Sequence, residues 1–74
     1  MTTLDRLRDI FREACDDPEL EISENTVQED IPAWDSVITI QIVLAVEAEF
    51  NVRLTTDEVA AVHSVRDLLN AVER

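Results

Sequence analysis

The apolar residues of this chain recur at the helical period almost throughout, and no segment alternates as a strand would. Leu4, Leu7, Ile10, Phe11 and Ala14 fall within one arc of about 120°, taking 100° per residue. Asp5, Arg6, Asp9, Arg12 and Glu13 lie largely outside it. This predicts an amphipathic helix over residues 3–15 with Thr2 or Thr3 as its N-cap. Asp16-Asp17-Pro18 is expected to end it, because the residue before a proline is pushed out of the α region. Residues 16–35 carry no clean period. Leu20, Ile22, Val27 and Ile31 are scattered through them and are expected to pin the loop to the core. So long a connection in a small domain is usually functional. A second helix is expected from Ser36 to Phe50 behind an Asp35 N-cap. Thr55 or Thr56 caps a short third helix, Asp57 to Val62. Ser64 with Asp67 three residues on has the form of a capping box and opens a last helix. Val65, Leu68, Leu69, Ala71 and Val72 line one face of that helix. The expected architecture is all-α: a four-helix bundle with a long first loop and a short third helix, one domain over residues 1–74.

The second helix has an unusual wheel. Ile40, Ile42, Val43, Val46 and Phe50 occupy one broad side, and the core is expected there, centred on Val43, Val46 and Phe50. Val37, Ile38, Leu44, Ala45 and Ala48 occupy the opposite side, with Gln41 the only polar member. A helix apolar nearly all round is either fully buried or touches something on a second face. A chain of 74 residues buries only ~60% of the surface its unfolded form exposes. It can hardly enclose one helix on every side, so a second contact is expected.

Composition removes several functions. Asp and Glu number 17, and the basic residues number 6, all Arg, so the formal net charge is −11. That balance repels phosphate backbones and anionic surfaces, so neither nucleic acid nor membrane is an expected partner. Glycine is absent, which excludes the P-loop and the dinucleotide fingerprint. One Cys and one His allow no disulfide framework and no zinc site of usual ligand count, so no metal is expected. No apolar run is long enough to span a bilayer and no signal-like segment opens the sequence; the expectation is cytoplasmic. The acidic run Asp16, Asp17, Glu19, Glu21 and Glu24 lacks the spacing of a calcium loop and reads as solvated. Cys15 reads as a half-buried structural thiol, and His63 as a surface or packing residue. Trp34 either covers the core or contacts a partner.

Ser36 stands at a helix start after Asp35. A plain N-terminal serine is one reading. The other is a modification site, since a helix N-terminus presents free N–H groups and the positive end of its dipole to a phosphodiester. A Ser-His-Asp hydrolase would depend on His63 alone, with no visible oxyanion loop.

Asp35-Ser36-Val37 resembles the Asp-Ser-Leu signature of acyl carrier proteins. Upstream, Val27-Gln28-Glu29-Asp30-Ile31 is similar to that family's Phe-x-x-Asp-Leu segment. Downstream, Ile42-Val43-Leu44-Ala45-Val46-Glu47-Ala48-Glu49-Phe50 resembles its Leu-Val-Met-Ala-Leu-Glu-Glu-Glu-Phe run. Asn51-Val52-Arg53-Leu54 and the short third helix fit the family's continuation. The resemblance spans essentially the whole chain. It implies that Ser36 carries 4′-phosphopantetheine, placed there from coenzyme A by a magnesium-using phosphopantetheinyl transferase. It also implies that Asp35 contacts that transferase or its metal, and that the protein is not an enzyme. It would deliver thioesters to acyl-loading and acyl-using enzymes, as a monomer.

The chain also departs from the pattern. Trp34 before the aspartate looks like stand-alone carriers of specialised lipid, polyketide or related pathways. Ile38, Gln41 and Ala48 stand where fatty-acid carriers commonly show acids. The expected partner surface is therefore an apolar strip of Val37, Ile38, Gln41, Leu44, Ala45 and Ala48, flanked by Glu47 and Glu49. An aminoacyl or peptidyl carrier and an unmodified helical adaptor are the competing functions. The charge itself generates a prediction: self-repulsion among carboxylates weakens the folded state near neutral pH. Moderate salt or divalent cations should raise the melting temperature, and a flat or falling melting temperature would mean the charges are already compensated.

Overall fold

Thr2 opens the first helix. The computed structural model describes residues 2–73, and α1 spans Thr3–Ala14. The Thr2 hydroxyl accepts the Asp5 N–H at 3.0 Å, and the Asp5 carboxylate accepts the Thr2 N–H at 3.2 Å. These bonds hold the Asp5 carboxyl below its ordinary acidity range. Pro18 is not what stops the helix. The chain reverses two residues earlier, at Asp16, whose φ is 53°. The Asp17 N–H then returns to the Arg12 carbonyl at 2.9 Å and the Asp16 N–H to Glu13 at 3.3 Å. Such closures ordinarily use glycine at the left-handed position. With no glycine in the chain, Asp takes this place and Asn51 (φ 55°, ψ 49°) takes it at the end of α2. Among residues with a Cβ these short polar types tolerate that conformation best.

The connection from α1 to α2 is aperiodic but not loose. Arg12 donates to the Leu20 carbonyl at 2.7 Å and to Glu21 at 2.9 Å. Arg66 reaches Glu24 at 2.9 Å. A 3₁₀ turn, Gln28–Asp30, comes next along the chain. Beside it the backbone pairs antiparallel with the segment before the last helix: the Gln28 N–H donates to His63 at 2.8 Å, and the Val65 N–H to Thr26 at 2.9 Å. Leu20, Ile22 and Ile31 reach the core as expected, while Val27 acts through its backbone at this bridge.

Helix α2, Ser36–Phe50, has the expected bounds and the expected Asp35 N-cap, whose Oδ1 accepts the Ile38 N–H at 2.9 Å. Helix α3 spans Thr56–Ala60, shorter than expected, with Thr55 and Glu58 forming a reciprocal cap. Helix α4 spans Val65–Glu73. The Ser64 hydroxyl accepts the Asp67 N–H at 3.1 Å, but the Asp67 carboxylate takes the His63 N–H at 2.9 Å rather than closing a box on Ser64. The all-α architecture with a short third helix is as the sequence implied. Leu7 and Phe11 of α1, Ile42, Val43 and Val46 of α2, and Val65, Leu68 and Leu69 of α4 form the core with Ile31, Trp34 and Val62.

Ile42, Val43 and Val46 are buried as expected, but the edges of the core side of α2 are shifted. Ile40, expected inside, is 53% exposed. Ile38 and Ala45, expected on the open strip, are half-buried, and Ile38 packs against the core. Thr39 is buried instead, because a polar group of the preceding loop requires it there. Phe50 is half-buried, with the Arg6 guanidinium 4.4 Å from its ring centroid. Among the described residues no helix is long and apolar enough to cross a membrane.

Candidate functional site

Trp34 sets the geometry around Ser36. Its indole is buried, and its ring meets Phe11 edge-on at 5.1 Å and 83°. A buried indole N–H needs an acceptor. It finds the Thr39 hydroxyl at 2.7 Å, which in turn donates to the Asp35 carbonyl at 3.0 Å. This is why Thr39 faces inward and why α2 is turned as it is. The Trp34 carbonyl accepts the Gln28 side-chain amide at 3.0 Å. The two residues before Ser36 are thus held by the indole from one side and by Gln28 from the other. Of the two readings of Trp34, the structure shows the core one.

Ser36 is the first residue of α2 and is exposed. It lies at a cleft of about 340 Å³ between α2 and α3, lined also by Gln28, Thr39, Ile40, Thr56, Val59, Ala60, Val62 and His63. A hydroxyl at the open end of a helix, beside a cleft with apolar walls and a few polar groups, fits a phosphodiester-linked arm. A helix N-terminus favours an anion, and an arm attached there would have the cleft walls beside it. His63, read from sequence as a surface or packing residue, is exposed but belongs to this cleft. Its local sequence carries no signal for that, because the backbone bridge to Gln28 brings it there.

The arrangement does not build a hydrolase. No hydrogen bond joins Ser36 to His63 among the described residues. The imidazole Nδ1 faces Gln28 Oε1 at 3.4 Å, and Asp67 binds the His63 backbone rather than its ring. Burial, reinforced by the Asp17 and Asp35 carboxylates, raises the Cys15 thiol above its ordinary value, so it stays protonated near neutral pH and is a poor nucleophile. Among the described residues no group of three His, Cys, Asp or Glu is placed to hold a metal ion.

The family model described as the phosphopantetheine attachment site matches residues 5–72. The chain belongs to the acyl carrier protein family. It is 38% identical over 73 residues to acyl carrier protein 3 of Ralstonia nicotianae, covering 97% of this chain and 83% of that one. It is 32% identical over 75 residues to an acyl carrier protein of Campylobacter curvus, covering 100% of this chain and 96% of that one. Its fold is similar to the solution structure of a holo acyl carrier protein from Geobacter metallireducens (TM-score 0.84, 32% identity, covering 99% of this chain and 84% of that one). A crystal structure of an acyl carrier protein from Thermotoga maritima shares the fold at a TM-score of 0.81 and 23% identity, covering 95% of this chain and 81% of that one. The protein is therefore a carrier rather than an enzyme, and its prosthetic group is covalent phosphopantetheine.

Of the expected partner residues, Val37, Gln41, Leu44, Ala48 and Glu49 are exposed. The other three are half-buried. Ile38 and Ala45 turn half-inward on the flank of α2. Glu47 accepts the Leu54 N–H at 2.9 Å and so holds the loop that leads into α3. Glu49 is gripped by Arg6 at 2.6 Å. Ile40, expected on the core side, joins Val37 and Leu44 as one of three large exposed apolar side chains among the described residues.

The Trp34–Thr39 bond carries a prediction. Thr39→Val leaves a buried indole N–H without its acceptor and should lower the unfolding free energy by about 1–3 kcal/mol. Combining it with Trp34→Phe, which removes the orphaned donor, should lower stability by less than the sum of the two single changes. Urea denaturation of the four proteins reads the difference.

Proposed function

We propose that Ser36 is the attachment point of the phosphopantetheine arm and that this carrier serves a specialised acyl pathway. The observation that supports the site is the placement of Ser36: exposed, first in α2, at the mouth of the cleft, with the backbone before it held by Trp34 and Gln28. When attached, the arm supplies a terminal thiol that takes acyl groups as thioesters. The chain's own part is to present the hydroxyl to a transferase and afterwards to offer the cleft. One oxygen of Asp35 caps the helix. Its other oxygen has no hydrogen-bond partner among the described residues, and in this reading it meets the transferase or its metal. A cytoplasmic setting belongs to the same reading.

The uncharged face of α2 supports the specialised pathway. Residues 36–46 contain no acid and no base, although the chain as a whole is strongly acidic. Val37, Ile40 and Leu44, exposed at 63%, 53% and 61%, form a stripe running from Ser36 along the helix, with Gln41 and Ala48 beside it. Exposed apolar patches of this kind mark interaction sites. Glu47 holds the loop before α3, while Glu49, paired with Arg6, stays exposed towards the end of α2. Partner enzymes that dock here would offer an apolar surface rather than a row of arginines.

Treated with coenzyme A and a broad-specificity transferase, the wild-type chain should gain the mass of one arm and Ser36→Ala none; an equal gain in Ser36→Ala would remove the assignment. Leu44→Glu should keep its melting temperature, since exposed sites tolerate charge to within about 0.5 kcal/mol. It should slow transfer by the cognate enzymes about tenfold, in the range of a docking hot spot. Ile38→Glu places the same charge against the core and should instead destabilise the fold. Normal transfer rates for Leu44→Glu would exclude the stripe as the docking face.

A further inference from the structure

Gln28 and Thr39, which line the cleft beside Ser36, have their side-chain polar atoms engaged. The Thr39 hydroxyl accepts from Trp34 Nε1 and donates to the Asp35 carbonyl. The Gln28 side chain is used at both ends: its Nε2 donates to the Trp34 carbonyl at 3.0 Å, and its Oε1 lies 3.4 Å from His63 Nδ1.

These contacts favour one tautomer of the imidazole. A carbonyl oxygen only accepts, so the Gln28 atom facing Trp34 is the amide nitrogen. The atom facing His63 is then the amide oxygen, which also only accepts. For the 3.4 Å contact to be a hydrogen bond, His63 Nδ1 carries the proton, and in the neutral ring Nε2 is then left with a lone pair. Among the described residues Nε2 has no hydrogen-bond partner. The Thr56 hydroxyl, also in the cleft, can rotate to donate or accept. His63 Nε2 is an acceptor whose identity is set by Gln28 at the opposite side of the ring.

The phosphopantetheine arm carries two amide N–H donors between its phosphate and its thiol. We propose that His63 is the holding point for this arm: its Nε2 accepts an amide N–H of the arm when the arm lies in the cleft between α2 and α3. Gln28 is the positioning residue that keeps the ring in the accepting tautomer. This rests on Ser36 as the attachment point. The indole-anchored loop that presents the serine thereby also presents the acceptor, because Gln28 joins both.

The test uses the apo protein and the holo protein with an unacylated arm, the arm verified on Ser36 by intact mass and fragmentation. At a pH where the imidazole is neutral, ring ¹⁵N shifts should show the Nδ1–H tautomer in both forms, and Gln28→Leu should shift the ring toward Nε2–H. On attachment of the arm the His63 Nε2 signal should move, and nuclear Overhauser contacts should appear between the ring and the arm. One arm amide proton should exchange with water about fivefold more slowly than in His63→Phe, the change expected for one net hydrogen bond. Thr56→Val should leave that exchange unchanged. Identical His63 signals in apo and holo wild type overturn the proposal without any variant, so a misfolded His63→Phe does not shelter it. Equal arm exchange in wild type and a folded His63→Phe also overturns it. A protein whose mass shows no arm on Ser36 removes the attachment reading, and the proposal with it.

Discussion

The hydrogen bond from the Trp34 indole to the Thr39 hydroxyl ties together parts of the chain that have little else in common. The indole lies against Phe11 of α1, its N–H ends on the first turn of α2, and the Trp34 carbonyl is held by Gln28 from the 3₁₀ turn. Removing water from an indole N–H is tolerable only with an acceptor present. Thr39 meets that need and, through its donation to Asp35, seals the start of its helix as well. The rotation of α2 about its axis is the result. With Thr39 inward, Ile42, Val43 and Val46 reach the core, and Val37, Ile40 and Leu44 are left outside. The apolar stripe is thus a geometric outcome of anchoring the loop through a helix side chain.

Charge is distributed to the same end. The few arginines act as struts: Arg6 joins α1 to the end of α2, Arg12 holds the start of the first loop, and Arg66 holds its middle. Exposed pairs of this kind are individually weak, about 0–1 kcal/mol each. Here each also fixes the path of a backbone segment at or beyond a helix end. Within α2 the acids Glu47 and Glu49 lie near its far end, so residues 36–46 after Asp35 stay without charge on a strongly acidic molecule.

Much of this was legible in the sequence, and the failures have physical reasons. Thr2, Asp35 and Thr55 announce helix starts because capping is local chemistry. The bounds of α2 came from Asp35 and from the run of residues that neither break nor bend a helix. Its core side was legible at Ile42, Val43 and Val46, but the edges of that side at Ile38, Ile40 and Ala45 were not, because a helix apolar nearly all round marks its edges weakly. The side chain that sets the rotation is a threonine answering a tryptophan five residues away, and hydrophobicity is silent about such pairs. Pro18 suggested the wrong reason for the end of α1, since a left-handed residue closes the helix first. The backbone bridge between Val27 and Ser64 left no trace, because pairing across such a separation has no period to read. His63 is exposed, within its reading as a surface or packing residue, and its place beside the cleft left no local signal for the same cause. Ser36 as the proposed attachment point was legible only through resemblance to a family, since Ser after Asp at a helix start is by itself ordinary.

The left-handed closures at Asp16 and Asn51 belong to a chain without a single glycine. Glycine has the widest choice of backbone conformations when unfolded and so loses the most on folding. A chain that turns its corners with Asp and Asn accepts some local strain, and in return begins from a narrower denatured ensemble. For the aperiodic connection between α1 and α2 this matters more than for the helices, because little local cooperativity offsets the ordering entropy there. The order of that loop, and with it the fixed setting of Ser36, therefore depends partly on states of the chain in which no native contact exists.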